Sequence, residues 1–238
     1  MQEVKMMKYE KIVHGRFLKR LNRFIAEVII NGTKELVHIK NTGRLRELLL
    51  PEAEVSLEPS NNPNRKTRYS LIALKANGEW VNIDSQAPNA VAFEALKAGK
   101  LRELGYPHLV KREVTYQDSR FDLYFEREEK KVFMEVKGVT LAKNGMAMFP
   151  DAPTTRGTKH LVELSKAVQD GYEGVILFVV QRSGCHGFSP NHEMDHEFAT
   201  ALLDASRLGV QVLAYDAIVK EDELVLDKPL PIELYEME

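Results

Sequence analysis

The chain has 238 residues, 44% of them hydrophobic and 29% charged, with a formal net charge of −2. That is an ordinary soluble composition, long enough for one large core or two modest ones. The single Cys185 excludes an internal disulfide framework. No apolar run approaches membrane-spanning length, and the opening MQEVKMMKYEKIV lacks the apolar core of a signal peptide. The expected compartment is the cytoplasm, with no membrane partner.

Charge is uneven along the chain. Residues 1–84 hold 15 Lys and Arg against 10 Asp and Glu, a balance of +5, and the remaining residues carry −7. Such a split arises by sampling or as the footprint of a nucleic-acid partner.

In chain order, KIVHGRFLKRL, RFIAEVIING, KELVHIK, AEVSLE, RYSLIALKA and EWVNI predict short strands, with Asn31-Gly32 closing a hairpin. One helical pattern, GRLRELLL, interrupts them after the third or fourth strand. A small barrel with one helix inserted mid-order is the plan of an OB-fold. After residue 85 helices alternate with strands. PNAVAFEALKAGKLREL reads as a helix entered through Asn89, and HLVKREVTY as a strand. TKHLVELSKAVQDG reads as a helix closing on Gly171, YEGVILFVV as a fully buried strand, HEFATALLDASRLG as a helix, and VQVLAYDAIV as a strand. The prediction is an N-terminal OB-like β-barrel (1–84) followed by an α/β domain (85–238) with a mixed sheet flanked by helices.

The stretch SRFDLYFEREEKKVFMEVKGVT carries the chemistry. Alternation around the polar turn EREEKK predicts a hairpin pairing Phe125 with Val132, Leu123 with Met134 and Phe121 with Val136, all apolar residues on one face. The other face receives Asp122 opposite Glu135, about 5 Å apart at Cβ, with Lys137 beside Glu135. Two carboxylates that close must share a proton, sit in water, or share a cation. On a buried sheet they suit Mg²⁺ or Mn²⁺, and the lysine can orient or help deprotonate water and stabilise charge on phosphorus oxygens. A surface hairpin with Glu/Lys decoration is the alternative.

Asp122 followed by Glu135-Val136-Lys137 resembles the active-site motif of the PD-(D/E)xK nuclease superfamily. The wider chain resembles the sugar fermentation stimulation protein A family through HIKNTGRLRELL, EVTYQDSRFDLYF, MEVKGVTL, FPDAPTTRGTKHLVEL, VILFVVQR and ASRLGVQVLAY. The resemblance implies an OB-like domain, a nuclease-like domain, and DNA binding linked to control of sugar metabolism genes. Lys40 stands where the family pattern has Pro, Glu52 where it has Gly, and His196 where it has Pro.

Other candidates are weaker. Glu113, on the strand before the hairpin, or Glu94, on the preceding helix, could add a third metal ligand; each is otherwise a solvated charge. FPDAPTTRGTKH could hold a phosphate at a helix start, with Arg156, Lys159 or His160 adding charge, or simply cap the helix. Lys19, Arg20, Arg23, Arg44, Arg46, Arg65, Lys66 and Arg68, interleaved with Phe17, Phe24 and Tyr69, suit DNA, with RNA as the alternative. Phe24 reads as core. Cys185, His186, His192 and His196 match no common zinc spacing. Two functions follow: a metal-dependent phosphodiesterase on nucleic acid, or a catalytically silent DNA-binding regulator.

Overall fold

The computed structural model describes residues 7–235; the ends of the two expected domains, 1–6 and 236–238, lie outside them. The first half is a closed barrel of β1 (Val13–Arg20), β2 (Ile25–Ile30), β3 (Thr33–Ile39), β4 (Glu54–Pro59) and β5 (Tyr69–Ala76), extended by β6 (Glu79–Asn82). β1 pairs with both β2 and β4, and β3 closes the barrel on β5 in parallel at His38↔Ser70. Asn31 and Gly32 both take positive φ, 49° and 77°, as a two-residue hairpin turn requires. Inward positions such as Val28, Val37, Ile39, Leu57 and Leu71 fill the barrel.

GRLRELLL does not become a helix. Leu45 takes φ 49°, a left-handed conformation that breaks a right-handed helix. Leu48 and Leu49 then turn back onto the Leu45 carbonyl, while Leu45 and Leu48 plug the barrel. Arg20 fixes this segment and is corrected from a nucleic-acid contact to a structural clamp. Its guanidinium donates to five carbonyl oxygens, those of Asn22, Arg23, Asn41, Gly43 and Arg44. Only a planar guanidinium offers that many donors at once.

Two departures from the family pattern acquire physical meaning. Lys40 reaches Glu58 at 2.9 Å and the buried Asp84 at 3.1 Å. Glu52 takes φ 67°, where glycine would be unstrained.

The second half comprises α1 (Ala87–Lys97), β7 (Leu109–Tyr116), β8 (Ser119–Arg127), β9 (Lys130–Val139), β10 (Ala142–Lys143), β11 (Met146–Phe149), α2 (Thr155–Gln169), β12 (Glu173–Val180), β13 (Gly187–Pro190), α3 (His196–Arg207), β14 (Gln211–Lys220) and β15 (Glu223–Pro229). The main sheet runs β15-β14-β12-β9-β8-β7, with β9, β12 and β14 parallel. α1 covers one face, over Leu123, Phe125, Met134 and Leu177; α2 and α3 cover the other, over Phe133, Ile176 and Phe178. β12 is therefore buried on both sides, as a continuous apolar run demands. α1 starts at Ala87 rather than at Asn89, because Pro88, lacking an N–H, fits the first turn. The small β10-β11-β13 sheet and β15 carry no pattern strong enough to predict.

The halves are joined by buried polar bonds. Asn82 N–H donates to the Gln181 carbonyl, and Gln181 Nε2 donates to Asn82 Oδ1 and the Asp84 carbonyl. Within the first half, Tyr9 Oη donates to Oδ2 of the same Asp84.

Two stability measurements test these assignments. Arg20→Ala should lower the unfolding free energy in urea by about 1–3 kcal/mol, and Arg20→Lys should recover little of it. Glu52→Gly should raise it by roughly 0.5–1 kcal/mol, the released left-handed strain exceeding the added chain entropy.

Candidate active site at a strand fork

The β8–β9 ladder runs from Arg127↔Lys130 through Phe125↔Val132 to Leu123↔Met134, in the register that the spacing predicts. There it stops. Past Met134, β9 continues beside β12 at Glu135↔Ile176, Val136↔Leu177 and Lys137↔Phe178. The Asp122 carboxylate enters the fork: Oδ2 accepts from the Val136 N–H at 2.8 Å, and Oδ1 accepts from Asn89 Nδ2 at 2.7 Å. The expected Phe121–Val136 pair is thereby corrected. Phe121 packs beside Phe133 under α2, whereas Leu123 and Val136 face α1. Strict alternation fails at Asp122 because its side chain replaces a backbone partner. The irregularity reaches the neighbouring strand, where Glu113 takes φ 53°.

Glu135 is 2% exposed. Its Oε1 accepts from Lys137 Nζ at 2.6 Å and is also bonded to His160 Nδ1. Its Oε2 is buried with no hydrogen-bond partner. Burial, the largest influence, pushes Asp122 above the usual carboxylate range, and the Glu135 charge adds to it against the Val136, Lys137 and Asn89 interactions. Burial pushes Glu135 up as well, but the His160 bond and the Lys137 charge outweigh it and hold Glu135 below that range. Two adjacent carboxylates are thus driven apart in acidity, a pattern of functional sites.

His160 is corrected from a phosphate contact. It is buried on the inner stripe of α2 with Leu161 and Leu164, and its Nε2 accepts from Arg156 Nε at 3.4 Å. That leaves the ring proton on Nδ1 for Glu135. Arg156 and Lys159 are exposed on the first turns of α2, Lys159 Nζ 3.5 Å from the Asp118 carbonyl. Thr154 caps α2 by accepting from the Gly157 N–H, so that N–H is not open to a phosphate.

The fork gathers Asp122, Glu135 and Lys137 but neither further acid. Glu113 is exposed and lies 3.7 Å from Arg120. Glu94 lines a groove between α1 and β15 with Val91 and Leu226. Among the described residues no group of three His, Cys, Asp or Glu could by itself hold a metal. On the barrel, Lys19 lies 3.7 Å from Glu27, Arg65 donates to Ser70 Oγ, and Arg68 pairs with Glu35. Lys66 is exposed. Arg44 is exposed and its N–H donates to Asp151. Arg23 lines a cleft of about 290 Å³ between the halves, with Gly43, Ser85, Gly138, Asp151 and Gln181. Gly138 adjoins Lys137, and a Cβ there would meet Gln181 Oε1 at 2.3 Å and Pro88 Cγ at 2.7 Å. Asn89 gives no local signal of its role. His160 does: it is a polar residue on the buried stripe of α2, beside Leu161 and Leu164.

A closed OB-like barrel joined to a mixed sheet with Asp and Glu-x-Lys at a strand fork defines a two-part protein of OB and nuclease-like architecture. The model of the SfsA N-terminal OB domain matches residues 18–83, and that of the sugar fermentation stimulation protein RE domain matches 86–223. The chain belongs to the sugar fermentation stimulation protein family. A sugar fermentation stimulation protein homolog of Alkaliphilus oremlandii is 53% identical over 232 residues, 95% of this chain and 99% of the relative. One of Desulfitobacterium hafniense is 46% identical, covering 97% of this chain and 100% of the relative. The structure of Pyrococcus furiosus SfsA in complex with Ca²⁺ superposes with a TM-score of 0.88 at 30% identity, covering 96% of this chain and 99% of that one. No helix among the described residues is long and apolar enough to cross a membrane.

The His160 bond is testable by itself. His160→Ala should lower the unfolding free energy by about 1–3 kcal/mol, since it removes a donor from a buried carboxylate. His160→Asn, whose amide N–H falls near Nδ1, should recover most of that loss. Equal losses in the two variants would assign His160 to packing alone.

Proposed function

We propose that this chain is a divalent-metal-dependent phosphodiesterase acting on nucleic acid, with Asp122 and Glu135 as the residues that hold Mg²⁺ or Mn²⁺. The observation that carries the reading is Glu135 Oε2, a buried carboxylate oxygen without a hydrogen-bond partner beside a second carboxylate. A buried carboxylate oxygen left without a partner is costly, and a shared cation removes that cost. Two oxygen donors on a stiff sheet suit an ion that keeps several waters and completes its shell with substrate oxygens. The Ca²⁺ complex of the archaeal relative supports a hard divalent cation.

The chain's own residues then divide the work. Asn89 and the Val136 N–H fix Asp122, while His160 and Lys137 hold Glu135 by Oε1 and leave Oε2 for the cation. When bound, the ion supplies Lewis acidity and makes water more acidic. Lys137, 15% exposed at its side chain, sets a positive charge where the phosphorus oxygens gain negative charge. The water oxygen bonds to phosphorus as the ester P–O bond breaks; the water's proton goes to solvent and the leaving oxygen takes one from solvent. Arg156 and Lys159 are placed to attract the flanking phosphates.

The second reading, a DNA-binding regulator of sugar metabolism genes with a silent site, takes its link to sugar metabolism from the name its relatives carry. One experiment separates the two. With Mn²⁺ or Mg²⁺ the protein should melt at a higher temperature and cut labelled DNA or RNA. Asp122→Asn and Glu135→Gln should lose both effects, and Lys137→Ala should keep the metal-induced shift but lose most of the rate. A metal-induced shift and tight DNA binding with no cleavage of any substrate would establish the regulator.

A further inference from the structure

The barrel carries an aromatic stack that its core does not require. Phe24, expected to be core, is 49% exposed. Its ring lies over that of His38 with centroids 6.3 Å apart and planes 13° from parallel, the geometry of an offset stack. Leu36, two residues before His38 on the same face of β3, is 50% exposed, while Val37 and Ile39 between and beyond are wholly buried. Leu21 is exposed too. The barrel has put its own apolar residues inside and left this strip outside.

The strip is held in place. Asn22 Oδ1 accepts from the Phe24 and Ile25 N–H groups at 2.9 and 3.0 Å, and Arg20 grips the carbonyls of Asn22 and Arg23. A rigid tip presenting a large ring loses little entropy when it binds. Its surroundings are cationic. Arg23 precedes Phe24 and lines the cleft beside Gly138. Burial and then the nearby Arg65 charge hold the His38 imidazole below its ordinary range. The neighbouring acids are already engaged, Glu35 by Arg68 and Glu27 by Lys19 and Lys34.

We infer that the Phe24–His38 stack is a base-stacking platform for single-stranded nucleic acid, with Arg23 leading the strand's phosphates into the cleft lined by Gly138, the residue after Lys137. Stacked aromatic rings with arginines alongside bind single strands because every unpaired base offers a flat face. In a duplex those faces are covered by neighbouring bases. The cleft, about 290 Å³, lies at the lower edge of small-ligand pocket sizes and is too small for a duplex. The β1–β2 loop and the β2–β3 face are also where an OB barrel is open to a strand. This inference deepens the nucleic-acid reading above by naming the strand class, and it does not need cleavage.

The test is fluorescence anisotropy in EDTA with labelled oligothymidylate and oligouridylate of about 15 nucleotides and a DNA duplex of equal length. The single strands should bind about tenfold or more tightly than the duplex. Phe24→Ala should weaken single-strand binding by about five- to 150-fold, the range of one lost stacking contact, whereas Phe24→Trp should stay within about threefold of the parent. Melting curves should be unchanged in both variants, since the ring is outside the core. Arg65→Ala should weaken binding and flatten its salt dependence. Parent-like affinity in Phe24→Ala, equal loss in the Ala and Trp variants, or a preference for duplex would overturn the platform. Phe24-dependent binding together with a protein that cuts nothing in Mn²⁺ would remove the phosphodiesterase and leave the platform standing.

Discussion

One side chain occupies a place that belongs to the backbone. Where a β8 carbonyl would accept from the Val136 N–H, the Asp122 carboxylate accepts instead. The substitution ends the β8–β9 ladder, reverses the faces of the residues on either side, and opens a wedge between two strands that are otherwise buried. Charge can be kept in such a wedge because each carboxylate has fixed donors. Asp122 has Asn89 and a peptide N–H; Glu135 has Lys137 and His160 on one oxygen. A surface hairpin would have given these groups to water and left their acidities alike.

The wedge lies near the junction of the two halves, and that junction is built from polar groups that satisfy one another. Gln181 sits at the end of β12 next to Gly138 and reaches across to Asn82 and Asp84. Asp84 in turn accepts from Tyr9 and pairs with Lys40. Each is a bond between parts distant in sequence, and buried bonds of this kind are stringent about geometry. The cleft lined by Gly138 and Gln181 therefore inherits a defined width from both sides.

Periodicity made the strands of the barrel and the longer helices and strands of the second half legible, because alternation and the 3.6-residue stripe report burial directly. The hairpin register from Arg127↔Lys130 to Leu123↔Met134 followed from the length of its polar turn; the Phe121–Val136 pair beyond it did not. What failed was set by contacts between distant residues. GRLRELLL has a helix's apolar spacing, but the Arg20 clamp and the left-handed Leu45 impose turns. His160 has the character of a phosphate ligand, yet its stripe on α2 points it at Glu135. Arg20 looks like its basic neighbours and differs only in having carbonyl oxygens on every side. Phe24 alternates like a core residue, but the Asn22 turn holds it outside. Composition cannot report any of these.

In the β1–β2 loop, the residues that set shape and those that face outward are different residues. Arg20 and Asn22 bond inward and hold the main chain, while Leu21, Arg23 and Phe24 direct their side chains to solvent. Substitution at the second set leaves the first intact. Such a loop can change what it touches over evolutionary time without passing through a misfolded ancestor, and its outward positions are free to diverge while the inward pair is held.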